Sequence, residues 1–281
     1  MNPIENIYKL IDKEFVDEFI NLVNKNCRQI RLPKYSSVYY LYNIILVLTE
    51  LQTWKSLKLL HLDKKPYHYK TIQDKHIEWS KLNLYERTYK TINEKYKQLH
   101  LKKSSNLTLF IDSTNIYNKN GQQNIGYGQN FKKQESRISA ICDSNKNIYS
   151  LTLVDSLSKE GTVKRTLPND SKTIISSITN LLETNIKYRA INLVGDKGYA
   201  TKEPIKNQLK ITYKINLIYP HKKNQKCKTS LFHKKLLKVR YVIENVFAKL
   251  KSYNRICCRK NKLKCTFMGF AYLASMLIFK K

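Results

Sequence analysis

The sequence predicts a mixed α/β domain over residues 105–281, preceded by an all-helical region over residues 1–104. Three observations lead there. Apolar residues recur at three- and four-residue steps up to about position 99, then switch to short runs and alternation from Leu107 onward. The elements after that switch read strand, strand, strand, helix, strand, the order of a mixed sheet. Two of those strands end in an aspartate, at Asp112 and at Asp196.

Taken in order, Ile7, Leu10, Ile11, Phe15, Phe19, Leu22 and Val23 form one helical stripe, and the pattern resumes from Tyr39 to Leu60 with Trp54, Leu57, Leu59 and Leu60. Beyond the Lys64-Lys65-Pro66 break, Tyr69–Leu82 and Leu84–Leu99 read as two amphipathic helices meeting at Asn83. Helix, short turn, helix with Lys and Arg on the open faces is compatible with a helix-turn-helix DNA reader, and equally with plain helix packing. The first strand is Leu107-Thr-Leu-Phe-Ile111. Ser136–Cys142 alternates as a second, and Tyr149–Val154 is a third. Pro168-Asn169-Asp170-Ser171 opens a helix striped by Ile174, Ile175, Ile178, Leu181 and Leu182, with Asp170 or Ser171 as its cap. Ala190–Val194 is the fourth strand and runs into Gly195-Asp196-Lys197-Gly198-Tyr199.

Charge narrows the function. The chain carries 52 Lys and Arg against 21 Asp and Glu, a formal net charge of +31. AT-rich codon usage inflates Lys, Asn, Ile and Tyr together, but it does not strip acids from one region only. Residues 200–281 hold 21 basic residues and only two acids, Glu203 and Glu244. Self-repulsion on that scale calls for a polyanion, and nucleic acid is the usual one. With 42% hydrophobic and 11% aromatic residues, the chain is too rich in core formers to be a disordered basic tail. The six Cys show no CxxC spacing, which excludes a secreted disulfide scaffold and points to a reducing compartment. His221, Cys227, His233, Cys257 and Cys258 match no zinc-finger spacing. The apolar runs Tyr39–Leu48 and Phe267–Phe279 are shorter than a membrane span of about 20 residues, and the N-terminus lacks an apolar signal core. The expected location is the cytoplasm or nucleoid of a prokaryote, or the nucleus or viral factory if the host is a eukaryote or its virus.

Three acids carry the chemistry. Asp112 directly follows its strand and Asp196 follows its strand by one Gly, the positions at which α/β sheets converge side chains on a ligand. Glu244 sits in a helical stretch, Leu236–Lys251, whose stripe is Val239, Ile243, Val246, Phe247 and Leu250. At about 100° per residue, Arg240, Glu244 and Lys251 share a narrow polar ridge beside that stripe. An acid between Arg and Lys stays ionised, as a metal ligand must. Three carboxylates on a DNA-binding chain suit two Mg²⁺ ions about 4 Å apart, one activating a nucleophilic oxygen and the other stabilising the leaving oxygen.

These residues resemble the DDE transposases of the bacterial insertion-sequence type. Arg240, Glu244 and Lys251 match the R-x3-E-x6-K part of that family's signature, whose Tyr falls at Leu237, with Tyr241 nearby. Leu109-Phe-Ile-Asp112-Ser-Thr is similar to the first Asp strand, Gly195-Asp196-Lys-Gly-Tyr199 to the D-x-G-Y element, and Asn169-Asp170-Ser171 to a His-Asp-Ser element. Ile218-Tyr-Pro220 resembles the region after the next strand, and Trp54 with Tyr69–Tyr96 the helical DNA-binding segment. The resemblance implies an RNase H-like core in which Asp112, Asp196 and Glu244 bind Mg²⁺, with Mn²⁺ able to substitute. It implies phosphate contacts from Arg240 and Lys251, with Lys132, Lys133 and Arg137 as further DNA-contacting candidates. It also implies double-stranded DNA partners, namely terminal inverted repeats and a target, held by a homodimer on paired ends. Two alternatives stay open from sequence: a domesticated or inactive copy that only binds DNA, and an RNase H-like nuclease that cuts without joining strands.

Overall fold

The computed structural model describes residues 3–27, 35–49, 53–60, 68–100, 106–127, 134–158, 165–183, 190–220 and 230–279. In chain order the helical elements begin with α1 (Pro3–Leu10), α2 (Lys13–Asn26), α3 (Ser37–Thr49), a 3-10 segment (Trp54–Leu60), α4 (Tyr69–Lys81) and α5 (Leu84–His100). Six strands follow: β1 (Leu107–Asn118), β2 (Gly126–Tyr127), β3 (Gln134–Cys142), β4 (Ile148–Leu153), β5 (Leu157–Ser158) and β6 (Arg165–Thr166). Then come α6 (Asp170–Leu182), β7 (Ile191–Val194), α7 (Glu203–Ile211) and β8 (Ile215–Ile218). The chain closes with α8 (Leu231–Val239), α9 (Tyr241–Ser252), α10 (Asn254–Cys257) and α11 (Lys264–Ile278). Among the described residues, no helix is long and apolar enough to cross a membrane.

The chain forms two compact units, and neither is a continuous stretch. The helical unit takes residues 1–92, 119–123 and 250–278, and the α/β unit takes 93–118, 124–249 and 279–281. A single cut at 104/105 does not describe this division, because the C-terminal helices fold with the N-terminal ones. The physical reason is α11: it is buried along nearly its whole length, from Thr266 to Met276, and a helix apolar all round must sit inside a bundle. It packs on α3 and α4. Gly269 sets the close approach to α4, since a Cβ there would stand 2.4 Å from the Ser80 Oγ. Phe19, Trp79 and Tyr85 form an aromatic cluster in the same core, with ring centroids 5.0 to 6.5 Å apart. The stripe Ile7–Val23 is split between α1 and α2, with the Asp12 carboxylate capping the second by accepting from the Glu14 N–H. Asn83 joins α4 to α5 at a φ of 53°, a left-handed conformation that Asn tolerates.

In the α/β unit, β1 is the central strand. It pairs antiparallel with β3 and parallel with β7, which pairs parallel with β8, while β4 continues the sheet antiparallel to β3. The order β4-β3-β1-β7-β8 is the mixed sheet that the element order predicts, with β2, β5 and β6 extending it. Residues on one face of it, among them Leu109, Ile111, Leu193 and Leu217, bury against Ile174, Ile178 and Leu181 of α6 and Leu209 of α7. Two expectations are corrected here. The stretch Leu236–Lys251 is not one helix: it breaks at Arg240, where Arg240 N–H bonds the Leu237 carbonyl and Ile243 N–H bonds the Arg240 carbonyl in three-residue steps. As a result Val239 is exposed, while Val242, Ile243, Val246, Phe247 and Leu250 are buried. Asp170 is not the cap of α6 but its first helical residue, and Asn169 in the cap position makes no side-chain capping bond.

Candidate active site

Register alone brings the two aspartates together. Parallel strands β1 and β7 pair Phe110 with Val194, and this is the last pair of the ladder. Asp112 lies two residues past Phe110, and Asp196 two past Val194. Both therefore emerge at the same end of the same strand pair, with Gly195 tied back to β8 by its N–H on the Ile218 carbonyl. Asp112 does not follow its strand as the sequence suggests, because β3 pairs with β1 as far as Tyr117; it lies within β1, at the point where β7 ends and leaves a crevice, the usual ligand position in such sheets.

Asp112 is partly buried and held on both oxygens. Its Oδ1 accepts from the Ser113 N–H at 2.8 Å, and its Oδ2 accepts from Arg240 Nη1 at 3.0 Å. The other arm of Arg240, Nη2, donates to Glu244 Oε1 at 2.6 Å. One guanidinium thus bridges the acid of β1 and the acid of α9, which its planar fork allows and a Lys would not. The break at Arg240 sits where this bridge forms. Burial pushes the Asp112 carboxyl above its ordinary range, and the nearby charges of Asp196 and Asp170 push the same way, against the Ser113 N–H and Arg240.

The Gly195–Tyr199 segment has a physical reason at each remaining position. The Asp196 carboxylate accepts from the Gly198 N–H at 2.7 Å and so closes the turn after β7. A Cβ on Gly195 would stand 2.9 Å from the Tyr199 ring, so glycine lets that fully buried ring pack beneath the strand end. A Cβ on Gly198 would stand 2.9 Å from Asp196 Oδ1 and 2.9 Å from Asp170 Oδ2. The two carboxylate oxygens are therefore no further apart than twice that distance.

Asp170 is the acid that sequence reasoning placed in a different role. Its Oδ1 accepts from the Ser113 hydroxyl at 2.5 Å and lies 3.5 Å from Arg137 Nη1. Arg137, offered from sequence as a DNA contact, also donates to Asn115 Oδ1 and to the Pro168 carbonyl, and its side chain is only 20% exposed. Those bonds direct it into the fold. The antiparallel register explains the grouping: Ser113 faces Ser139 and Asn115 faces Arg137 across β1 and β3, all on the α6 side. No local pattern announces it, because the partners lie 20 or more residues apart.

Lys251 follows Glu244 by two turns of α9 and is half-buried. Lys132 and Lys133 lie outside the described residues. The acids offer only carboxylate oxygens, the donor type a hard divalent cation prefers. Among the described residues, no three such side chains converge on one point, and Arg240 now supplies the positive charge between Asp112 and Glu244. The donor chemistry fits a divalent ion beside the end of β7.

Residues 103–277 match the family described as the transposase DDE domain. Among solved structures, the piggyBac transposase synaptic complex with hairpin DNA aligns over 99% of this chain and 74% of that one, with a TM-score of 0.51 at 10% identity. At that identity the likeness speaks to fold, and it agrees with an RNase H-like core. The Mos1 mariner paired-end complex with Mn aligns over 93% of this chain and 76% of that one, at 12% identity and a TM-score of 0.28, too low to bear on the fold. A search among curated protein sequences finds no match.

Proposed function

This chain belongs to the DDE transposase family, and from that premise we propose that Asp112, Asp196 and Glu244 are its catalytic acids. The enzymes of this family cleave DNA and transfer strands, and they use divalent metal ions. The observation that carries the residue assignment is the register of β1 and β7, which delivers two acids from distant sequence to one strand end, with Arg240 tying the third to the first.

Asp112 within β1 and Asp196 just past β7, with Glu244 from α9, would hold Mg²⁺, or Mn²⁺ in its place. When bound, the metal would lower the pKa of a water or 3′-hydroxyl nucleophile and stabilise the leaving oxygen. The chain's own groups do the rest. Asp112 is held by the Ser113 N–H on Oδ1 and by Arg240 on Oδ2, which fixes the orientation of its carboxylate. Partial burial lowers the local dielectric and strengthens each charge interaction on a bound phosphodiester. Arg240 offers a planar pair of donors matched to phosphate, and Lys251 a point charge along the same helix. The basic C-terminal third offsets the repulsion between the strand and the acids.

The substrates are double-stranded DNA ends carrying terminal inverted repeats, and a target duplex to which the freed 3′-hydroxyl is joined. Two copies of the chain would pair two ends. The test is a nicking assay on DNA bearing the element's ends, with and without Mg²⁺. Asp112→Ala, Asp196→Ala and Glu244→Ala should each abolish cleavage while end-DNA affinity stays within a few-fold of wild type. Cleavage surviving one of these changes removes that residue from the assignment. Nicks without joined product would favour a nuclease, and binding without nicks a DNA-binding protein that no longer cuts.

A further inference from the structure

We propose that Asp170 is a positioning residue of the catalytic centre, acting through the Ser113 hydroxyl and Gly198 to fix where Asp112 and Asp196 stand; this rests on the assignment of those two acids above. An acid at the first position of a helix ordinarily serves only its dipole. Asp170 is used differently. Its Oδ1 takes the Ser113 hydroxyl at 2.5 Å, and Ser113 is the residue whose own N–H holds Asp112 Oδ1 at 2.8 Å. One short residue is thus clamped from both sides: its backbone orients a catalytic acid and its side chain is anchored to α6.

The anchor is itself braced. Arg137 lies 3.5 Å from the same Asp170 oxygen and is fixed by Asn115 and by the carbonyl of Pro168, two residues before Asp170. Asn115 in turn donates to Glu135 Oε2 at 2.7 Å. The second oxygen of Asp170 reaches the space above Gly198, where the Asp196 carboxylate also arrives. The start of α6 therefore touches the first acid through Ser113 and borders the second across a residue that has no side chain to separate them. Groups that orient metal ligands from outside typically matter by 10- to 100-fold in metal affinity or activity.

The experiment uses the full chain and Mn²⁺ as probe, with two readouts: Mn²⁺ binding followed by electron paramagnetic resonance without DNA, and the Mn²⁺ concentration for half-maximal nicking of end-bearing DNA. Asp170→Ala is expected to raise the Mn²⁺ dissociation constant and the half-maximal Mn²⁺ concentration by roughly tenfold or more. Ser113→Ala, a milder change that leaves Asp170 in place, should give a shift of the same size. The double variant should be no worse than either single one, because both remove the same clamp. Asp170→Asn keeps an acceptor for the hydroxyl and should recover most of the loss, which a purely charge-based or dipole role would not allow. Wild-type Mn²⁺ dependence in both Asp170→Ala and Ser113→Ala overturns the proposal, and so does a loss in Asp170→Asn equal to that in Asp170→Ala. A wild-type chain that binds no Mn²⁺ and cuts nothing would instead remove the catalytic assignment itself, whereas an active wild type silenced by Asp112→Ala leaves Asp170 alone on trial.

Discussion

Two buried cationic or titratable groups of the helical unit, His76 and Arg259, differ from the acids of the α/β unit in how they meet water. In the helical unit, His76 and Arg259 are sealed from water and paired. His76 is 1% exposed, and its Nε2 lies 3.1 Å from the Thr266 carbonyl, which can only accept, so Nε2 carries the proton. Its Nδ1 is then free to accept from the Tyr85 hydroxyl at 3.1 Å. Arg259, wholly buried, gives its guanidinium to the carbonyls of Gln123, Asn261 and Lys262. In the α/β unit the acids of the candidate site are left partly open, Asp112 with a fifth of its side chain exposed and Glu244 with more than half. Their bonds orient them without closing them off. Burial with paired donors holds His76 and Arg259 in place, and partial burial leaves Asp112 and Glu244 open to a ligand.

That contrast can be broken by mutation. The largest effect on stability is expected in the helical core: Phe270, fully buried and with its ring centroid 4.1 Å from His76, should cost about 3–5 kcal/mol when truncated to Ala, read by chemical unfolding. Next comes the pH response of His76. Burial, chiefly, and the Arg255 charge pull its pKa down to about 3 from 6.5. Between those values the unfolded chain holds a proton that the folded one refuses. Its contribution is therefore complete above about pH 6.5 and is lost as the pH falls toward 3, at up to about 1.4 kcal/mol per pH unit. Subtracting the profile of His76→Gln from that of wild type should expose this slope, and parallel profiles would show that the ring is not sealed.

The smallest expected effect has the opposite sign and sharpens the comparison. The Asp112 carboxyl is raised chiefly by burial, so at neutral pH its ionised form is a burden on the folded state. Asp112→Asn should stabilise the protein by about 0.5–1 kcal/mol while cleavage disappears, as residues kept for activity commonly do. A loss of stability instead would mean that Arg240 gains more from Asp112 than burial takes away.

What could be read from sequence follows the range over which its signals act. The α4–α5 pair around Asn83 and the strands β3, β4 and β7 are legible to within one or two residues, because apolar period and turn chemistry are local. Asp112, Asp196 and Glu244 stand out because strand ends and a lone acid in a basic zone are also local features. The length of β1, which runs on from Ile111 to Asn118 through Asp112, Ser113 and Asn115, was not legible, since polar residues in mid-strand are explained only by β3 and α6 lying against them. For the same reason Asp170 reads as a cap, the bonds of Arg137 to Asn115 and Pro168 leave no trace in the sequence, and Arg240 reads as one more residue of a continuous helix. Each is set by partners far along the chain, and no window of sequence contains both halves.

The C-terminal helix α11 has a consequence for how the protein comes into being. On the ribosome, N-terminal segments ordinarily condense first. Here α3 and α4 have exited long before their partner, and until residues up to Ile278 follow, the faces that α11 covers stay bare to water. The waiting surface includes the His76 ring, whose Nε2–H donates to the Thr266 carbonyl only once α11 is in place. A transcript cut short anywhere before that helix leaves a sticky, half-made bundle rather than a smaller working enzyme. Completion of the helical core is thereby tied to translation of residues 264–278.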